Sequence, residues 1–170
     1  MERAVWTIGE IEVYVSGFFT THHCMQTAAM VLGEFTLPAF STGGVFRFAD
    51  GRELVVKRTS WWRGLHVLQE DGVVLGVAQP RGFWRRTMSV GFRGLVYELE
   101  PVSFWSRGWH LIDRAGTALL EVQPRGVFCR GAYLTIMGPV HTDLLVFTYY
   151  LVNVRWQEQA AVPSAVAAGS

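Results

Sequence analysis

The chain carries two copies of a Trp-x-Arg-Gly-x-His segment, at residues 61–66 and 105–110, offset by 44 positions. Arg63 and Arg107 recur in matched positions, and so do His66 and His110. Two imidazoles presented by matched units could face each other as metal ligands or proton-transfer groups. A metal site needs three or four convergent ligands, and the repeat supplies two. The copies are therefore expected to be a duplicated structural device, in which Arg and His hydrogen-bond the turn and neighbouring strand of each unit. A second metal-like cluster is Thr20-Thr21-His22-His23-Cys24. On a strand, His22 and Cys24 share a face and His23 points the other way, so the three do not converge easily on one ion. Cys129 and a repeat His could complete a Cys/His site, but no Cys-x-x-Cys spacing supports it, and no metal or other cofactor is expected.

Signals for nucleophilic chemistry are weaker. The chain has no Gly-x-Ser-x-Gly elbow, no His-Glu-x-x-His and no phosphate-cradling Gly-rich loop. Glu98 and Glu100 would share a strand face, which reads as an exposed acidic strand rather than an acid/base pair. No catalytic residue is assigned. The best binding candidate is the run Arg81-Gly82-Phe83-Trp84-Arg85-Arg86, with Arg93 beyond it. Arg forks match phosphate oxygens, and Trp or Phe can sit at a lipid headgroup boundary. Arg81, Trp84, Arg85, Arg86 and Arg93 are the anion-binding candidates. The competing reading is an Arg-rich strand face with inward aromatics.

The elements that position these residues follow from the repeat. From 61–86 to 105–130, 11 of 26 positions are identical without a gap, including Gln-Pro-Arg-Gly at 79–82 and 123–126. Each copy reads as a meander of about four strands. Leu54-Val55-Val56 and Leu95-Val96-Tyr97 are runs of β-formers. Asp71-Gly72 is a tight primed-turn signal, and Ala115-Gly116 a weaker one. The repeats span about 48–90 and 92–134. The N-terminal third adds strands at 4–8, 11–15 and 18–24. The stretch 25–32 is ambiguous between strand and short helix, 36–44 reads as loop, and 45–48 as strand. The total is about eleven or twelve strands.

One helix is expected, at 143–157. Gly138-Pro139 breaks the preceding strand, and Thr142 or Asp143 can cap the helix. The run 144–154 is apolar on every face, so the helix must be enclosed on all sides. In a nearly all-β chain the enclosure is the sheet itself, closed around it, which also removes edge strands. The apolar run of about 13 residues gives roughly 20 Å of helix against the ~30 Å of a bilayer core, which favours a buried core helix over a membrane span.

Composition agrees. With 170 residues, 50% hydrophobic and only 17% charged, the chain is one folded domain (1–158), with a disordered tail at 159–170. Two cysteines, Cys24 and Cys129, exclude a disulfide scaffold and fit reduced thiols in a cytoplasm. The N-terminus lacks the cationic and apolar runs of a signal peptide. Fourteen of fifteen basic residues are Arg, a bias typical of a GC-rich genome, and a bacterial source is the expectation. The net charge of +1 gives no reason to expect nucleic acid, but residues 47–93 carry net +5 and could form one positive face.

The repeated strand–Gly–strand units, the Arg-Gly-x-His-x-[Leu/Ile] segments and the terminal hydrophobic helix resemble the tubby C-terminal-like superfamily, which includes phospholipid scramblases and LURP-one-related proteins. The resemblance covers about residues 45–157. It implies a closed antiparallel barrel of about twelve strands wrapped around a C-terminal helix, and phosphoinositide binding in some branches. No ligand residue of that superfamily maps onto this chain. The expected function is a non-enzymatic barrel module that binds anionic lipid headgroups or a protein partner through the basic–aromatic face, with peripheral membrane contact. The alternatives are a small-ligand carrier, with a cavity beside the terminal helix, and a His-based metalloprotein or enzyme using His22, Cys24, His66 and His110.

Overall fold

A computed structural model describes residues 5–38, 43–60, 64–82, 87–126 and 130–160. The chain order is β1 (Val5–Trp6), β2 (Gly9–Ser16), β3 (Thr20–Gln26), β4 (Val31–Pro38), β5 (Gly43–Phe48), β6 (Glu53–Ser60) and β7 (Leu65–Glu70). It continues with β8 (Val73–Arg81), β9 (Thr87–Phe92), β10 (Leu95–Pro101), β11 (Trp109–Ile112), β12 (Ala118–Pro124), β13 (Gly131–Ile136), β14 (Val140–His141) and α1 (Thr142–Ala160). Strands β2 to β13 form a closed twelve-strand barrel, each antiparallel to the next, and β13 returns to β2 through pairs such as Leu134↔Ile11. Strand β1 lies outside the ring and pairs only with β14.

Alternation decides which side chains fill the barrel. Ile11 and Val13, Met88 and Val90, Leu120 and Val122, and Leu134 and Ile136 are buried, while the residues between them are half-buried or exposed. Through the middle runs α1, whose first eleven residues, Thr142 to Val152, are all buried. Nineteen residues give a rod of about 28 Å, long enough to thread the barrel from one rim to the other. A helix without a polar stripe is stable in water only when every side is covered, and the ring covers every side. Each fully buried Leu or Phe contributes roughly 1.5–3 kcal/mol. Buried Thr148 is satisfied within the helix, donating from Oγ1 to the Leu144 carbonyl at 2.8 Å. No helix among the described residues is long and apolar enough to cross a membrane.

Several local expectations are corrected. Residues 25–32 form no helix, because β3 runs to Gln26, a turn follows, and β4 starts at Val31. The supposed loop at 36–44 is shorter, since β4 continues to Pro38 and β5 begins at Gly43. The helix continues past 157 to Ala160, and the tail beyond it lies outside the described residues. At the start of α1, His141 Nδ1 accepts the Asp143 N–H at 3.2 Å, while Thr142 Oγ1 accepts from the Trp6 indole at 3.1 Å. The Asp71-Gly72 turn has the positive φ values that the sequence signals, 49° and 80°. A second turn of the same kind, Arg93-Gly94 at 48° and 79°, joins β9 to β10.

The two repeats occupy consecutive sets of four strands, β6–β9 and β10–β13, but their side chains do not keep one phase. Over β8 and β12 the matched Ala78 and Val122 are both buried, as are Val90 and Leu134 over β9 and β13. Over β7 and β11 the phase slips. His66 and Leu68 are buried, whereas their counterparts His110 and Ile112 are half-buried, and Trp109 and Leu111 face inward instead. The connections explain the slip. Strands β7 and β8 turn on two residues, whereas β11 and β12 are joined through 113–117; each pair also shifts register once, after Leu68 and after Leu111. A one-residue shift sends every side chain of a strand to the other face.

Candidate functional site

The two rims of the barrel differ in chemistry. At the rim where α1 begins, Asp143 is completely buried. Its Oδ1 accepts from Arg52 Nη2 at 2.7 Å and its Oδ2 from Arg93 Nη2 at 3.3 Å. Arg52 also donates to Glu70 at 2.9 Å and lies over the Phe48 ring at 3.8 Å. Two turns thus lend an arginine each to one buried carboxylate, and Glu70 takes the other fork of Arg52. Arg93, an anion-binding candidate by sequence, is placed here by its primed turn, and Asp143 is the anion it meets.

At the opposite rim, where α1 ends, the turn at 17–19, the connection 102–108 and residues 125, 126 and 130 between β12 and β13 lie side by side. Phe18, Phe19, Phe104 and Trp105 are 87%, 77%, 65% and 90% exposed. They form two edge-to-face pairs, with centroids 5.8 Å apart for Phe18–Phe19 and 4.9 Å for Phe104–Trp105. Arg130 Nη1 donates to the Gly17 carbonyl at 2.7 Å, tying two of the loops together. The Trp156 indole donates to the Arg107 carbonyl at 2.7 Å, tying the third to the helix. Arg125 stacks on Tyr14 at 3.9 Å. Strands β4, β6 and β8 also end on this rim. The sequences that follow them are Ala-Phe-Ser-Thr, Trp-Trp-Arg and, after Arg81-Gly82, Phe-Trp-Arg-Arg, with no acid among them.

Between the helix and these loops lies a cavity of about 300 Å³, lined by Arg107, Arg130, Asn153, His23, Tyr149 and Trp156 among others. Among the described residues its lining contains no carboxylate. His23 Nδ1 is hydrogen-bonded to the Tyr149 hydroxyl at 2.5 Å, and Nε2 to Thr21 Oγ1 at 3.0 Å. A second imidazole makes the same kind of pair, His66 Nδ1 with the Tyr150 hydroxyl at 3.2 Å. Burial pulls both imidazoles down to about 4, helped by the positive charge of Arg130 beside His23 and of Arg58 and Arg155 beside His66. Burial raises the two phenols in turn, that of Tyr150 to about 12. These groups are therefore neutral at pH 7 and hold the helix against the wall.

The sequence candidates are dispersed. Arg81 is exposed at the end of β8 and pairs with Glu98 on β10. Arg93 lies at the far rim, roughly 20 Å away along β9. The single positive face expected over 81–93 is not formed by these two, because a strand separates them. Trp84, Arg85, Arg86, Arg63 and Cys129 lie outside the described residues. His66 and His110 do not face each other, since His66 is inside and His110 is on the outer surface with Glu121 at 2.8 Å. Only His110 bonds a neighbouring strand, as expected of both, and His66 bonds the helix. The Glu121 carboxyl is held low by hydrogen bonds from Gln123 and His110. His22 and Cys24 share the outer face, as the alternation requires, with His22 bonded to Glu34 at 2.8 Å. Burial and Glu34 raise the Cys24 thiol, which disfavours the reactive thiolate. Among the described residues no group of three or more His, Cys, Asp or Glu side chains could hold a metal ion.

Sequence reasoning missed Arg130 and Asn153. The available signal was Asn153 itself, an amide inside an otherwise apolar helical run. No family model matches the chain, and neither the curated proteins nor the solved structures give a match.

Proposed function

We propose that the chain is a non-enzymatic barrel module that docks on an anionic lipid surface by the rim where α1 ends. The observation that carries this reading is the concentration of exposed Phe18, Phe19, Phe104 and Trp105 on that rim, beside Arg107, Arg125 and Arg130, in loops that contain no acid. Aromatic rings gain by entering the headgroup boundary, and each nearby Arg adds about 1 kcal/mol of attraction to anionic lipid. The barrel closed around a terminal helix supports the resemblance to the tubby C-terminal-like superfamily. The test is co-sedimentation with phosphatidylserine-containing vesicles at low salt. Wild type is expected to sediment with them and not with pure phosphatidylcholine. The triple variant Phe18→Ser/Phe104→Ser/Trp105→Ser is expected to lose at least about tenfold in affinity, since each ring is worth roughly 1.5–3 kcal/mol. Equal binding by the variant, or none by wild type, overturns the reading.

A second reading, a small-ligand carrier, is favoured by the cavity beside α1, which has the place expected for it.

A further inference from the structure

We propose that the cavity between the last turns of α1, the connection 102–108 and the facing ends of β12 and β13 is a binding site for a phosphate group, held by Arg107, Arg130 and Asn153. Three observations carry the assignment. First, the donors converge and have spare capacity. The Arg107 guanidinium makes no ion pair among the described residues, and Arg130 uses one N–H on the Gly17 carbonyl. Second, Asn153 Nδ2 is buried with no hydrogen-bond partner among the described residues. Such an amide costs roughly 1–3 kcal/mol, and an acceptor oxygen entering the cavity removes that cost. Third, the selectivity is one-sided, because among the described residues the lining has two guanidinium groups and no carboxylate. Guanidinium forks match tetrahedral oxyanions bidentately, where a carboxylate-lined cavity would take a cation. The carbonyls at the end of α1 oppose the anion with about half a charge, which two full positive charges outweigh. The volume, about 300 Å³, is at the small end of ligand sites and suits a phosphate bearing a short substituent.

The site goes beyond membrane docking and does not depend on it, because a soluble phosphate can fill it. The test is a calorimetric and NMR titration of the purified full chain at low salt and pH 7 with inorganic phosphate and with glycerol 3-phosphate. Saturable binding is expected, with the Asn153 side-chain amide and the His23 ring among the resonances that move. Arg107→Met and Arg130→Met should each weaken binding about tenfold or more, and Asn153→Leu should weaken it as well. Lys57→Met, on the outer face of β6, should leave it unchanged. With phosphate bound, the anion beside His23 should raise the pH at which its ring titrates, against the lowering by Arg130 and His22. Phosphatidic acid vesicles serve as the second arm. With the triple aromatic variant, which lacks the docking rings, tighter binding to them than to glycerol 3-phosphate identifies a lipid headgroup as the source, and equal binding identifies a free phosphate. The triple aromatic variant should keep its affinity for soluble phosphate, so failure of docking and failure of this site are separable. Absence of saturable binding of both soluble probes, or unchanged affinity in both Arg107→Met and Arg130→Met, overturns the proposal.

Discussion

The rim where α1 begins and the rim where it ends use arginine in opposite ways. At the first, Arg52 and Arg93 close on Asp143, and Glu70 takes the remaining fork of Arg52, so a buried charge is balanced within the fold. At the second, among the described residues, Arg107 pairs with no carboxylate and the Asn153 amide and part of the Arg155 guanidinium are buried without partners, and four aromatic rings face solvent. A rim that satisfies its polar groups internally stabilises the molecule. A rim that leaves donors open and apolar rings exposed is less stable than it could be, and a ligand or surface is what would make up the difference.

Breaking the first rim should have the largest effect. Arg52→Met leaves the buried Asp143 carboxylate with the longer Arg93 contact and His141 at 3.8 Å, and should cost about 3–5 kcal/mol in urea unfolding. Arg107→Met should fall within about 0.5 kcal/mol of wild type while losing phosphate affinity. A large stability loss from Arg107→Met would erase the distinction between the rims.

Counted per residue, lowering the pH gives the next largest effect. His23 and His66 titrate at about 4 when folded, against 6.5 in the unfolded chain. Between those values the unfolded state binds more protons, so stability is fully present above pH 6.5 and is lost as the pH falls towards 4. The loss is roughly 3 kcal/mol for each residue, checked by unfolding at pH 7 and pH 4.5. His66→Phe should flatten the profile by about half if the two behave alike. A profile unchanged by that variant would contradict the buried neutral pair.

The smallest effect sharpens the contrast between the repeats. His110→Ala removes an outer-surface contact with Glu121 and should cost less than about 1 kcal/mol, while His66→Ala empties an interior position against Tyr150 and should cost 2 kcal/mol or more on the scale of core truncations, roughly. Equal costs would mean that the repeated histidines do the same work.

The barrel and its helix were legible because two periods are written plainly in the chain: alternation in the strands, and a helix with no polar face. The orientation of His66 and His110 was not, since identical residues reach opposite faces once a two-residue turn is exchanged for the 113–117 connection. Nor was the basic face. Arg81 and Arg93 are close in sequence, yet a strand carries them to opposite rims. The site beside α1 draws on residues 107, 130 and 153, which only closure of the barrel brings together. Asn153 was its one local trace.

The claim that the rim at the end of α1 is the binding end is tested most directly by the depth of Trp105 in a membrane. Phosphatidylserine vesicles containing lipids brominated on the acyl chain quench tryptophans that enter the bilayer boundary. The account predicts strong quenching of wild type and markedly less in Trp105→Phe. Binding with equal quenching in the two proteins would leave Trp105 outside the bilayer boundary and contradict it.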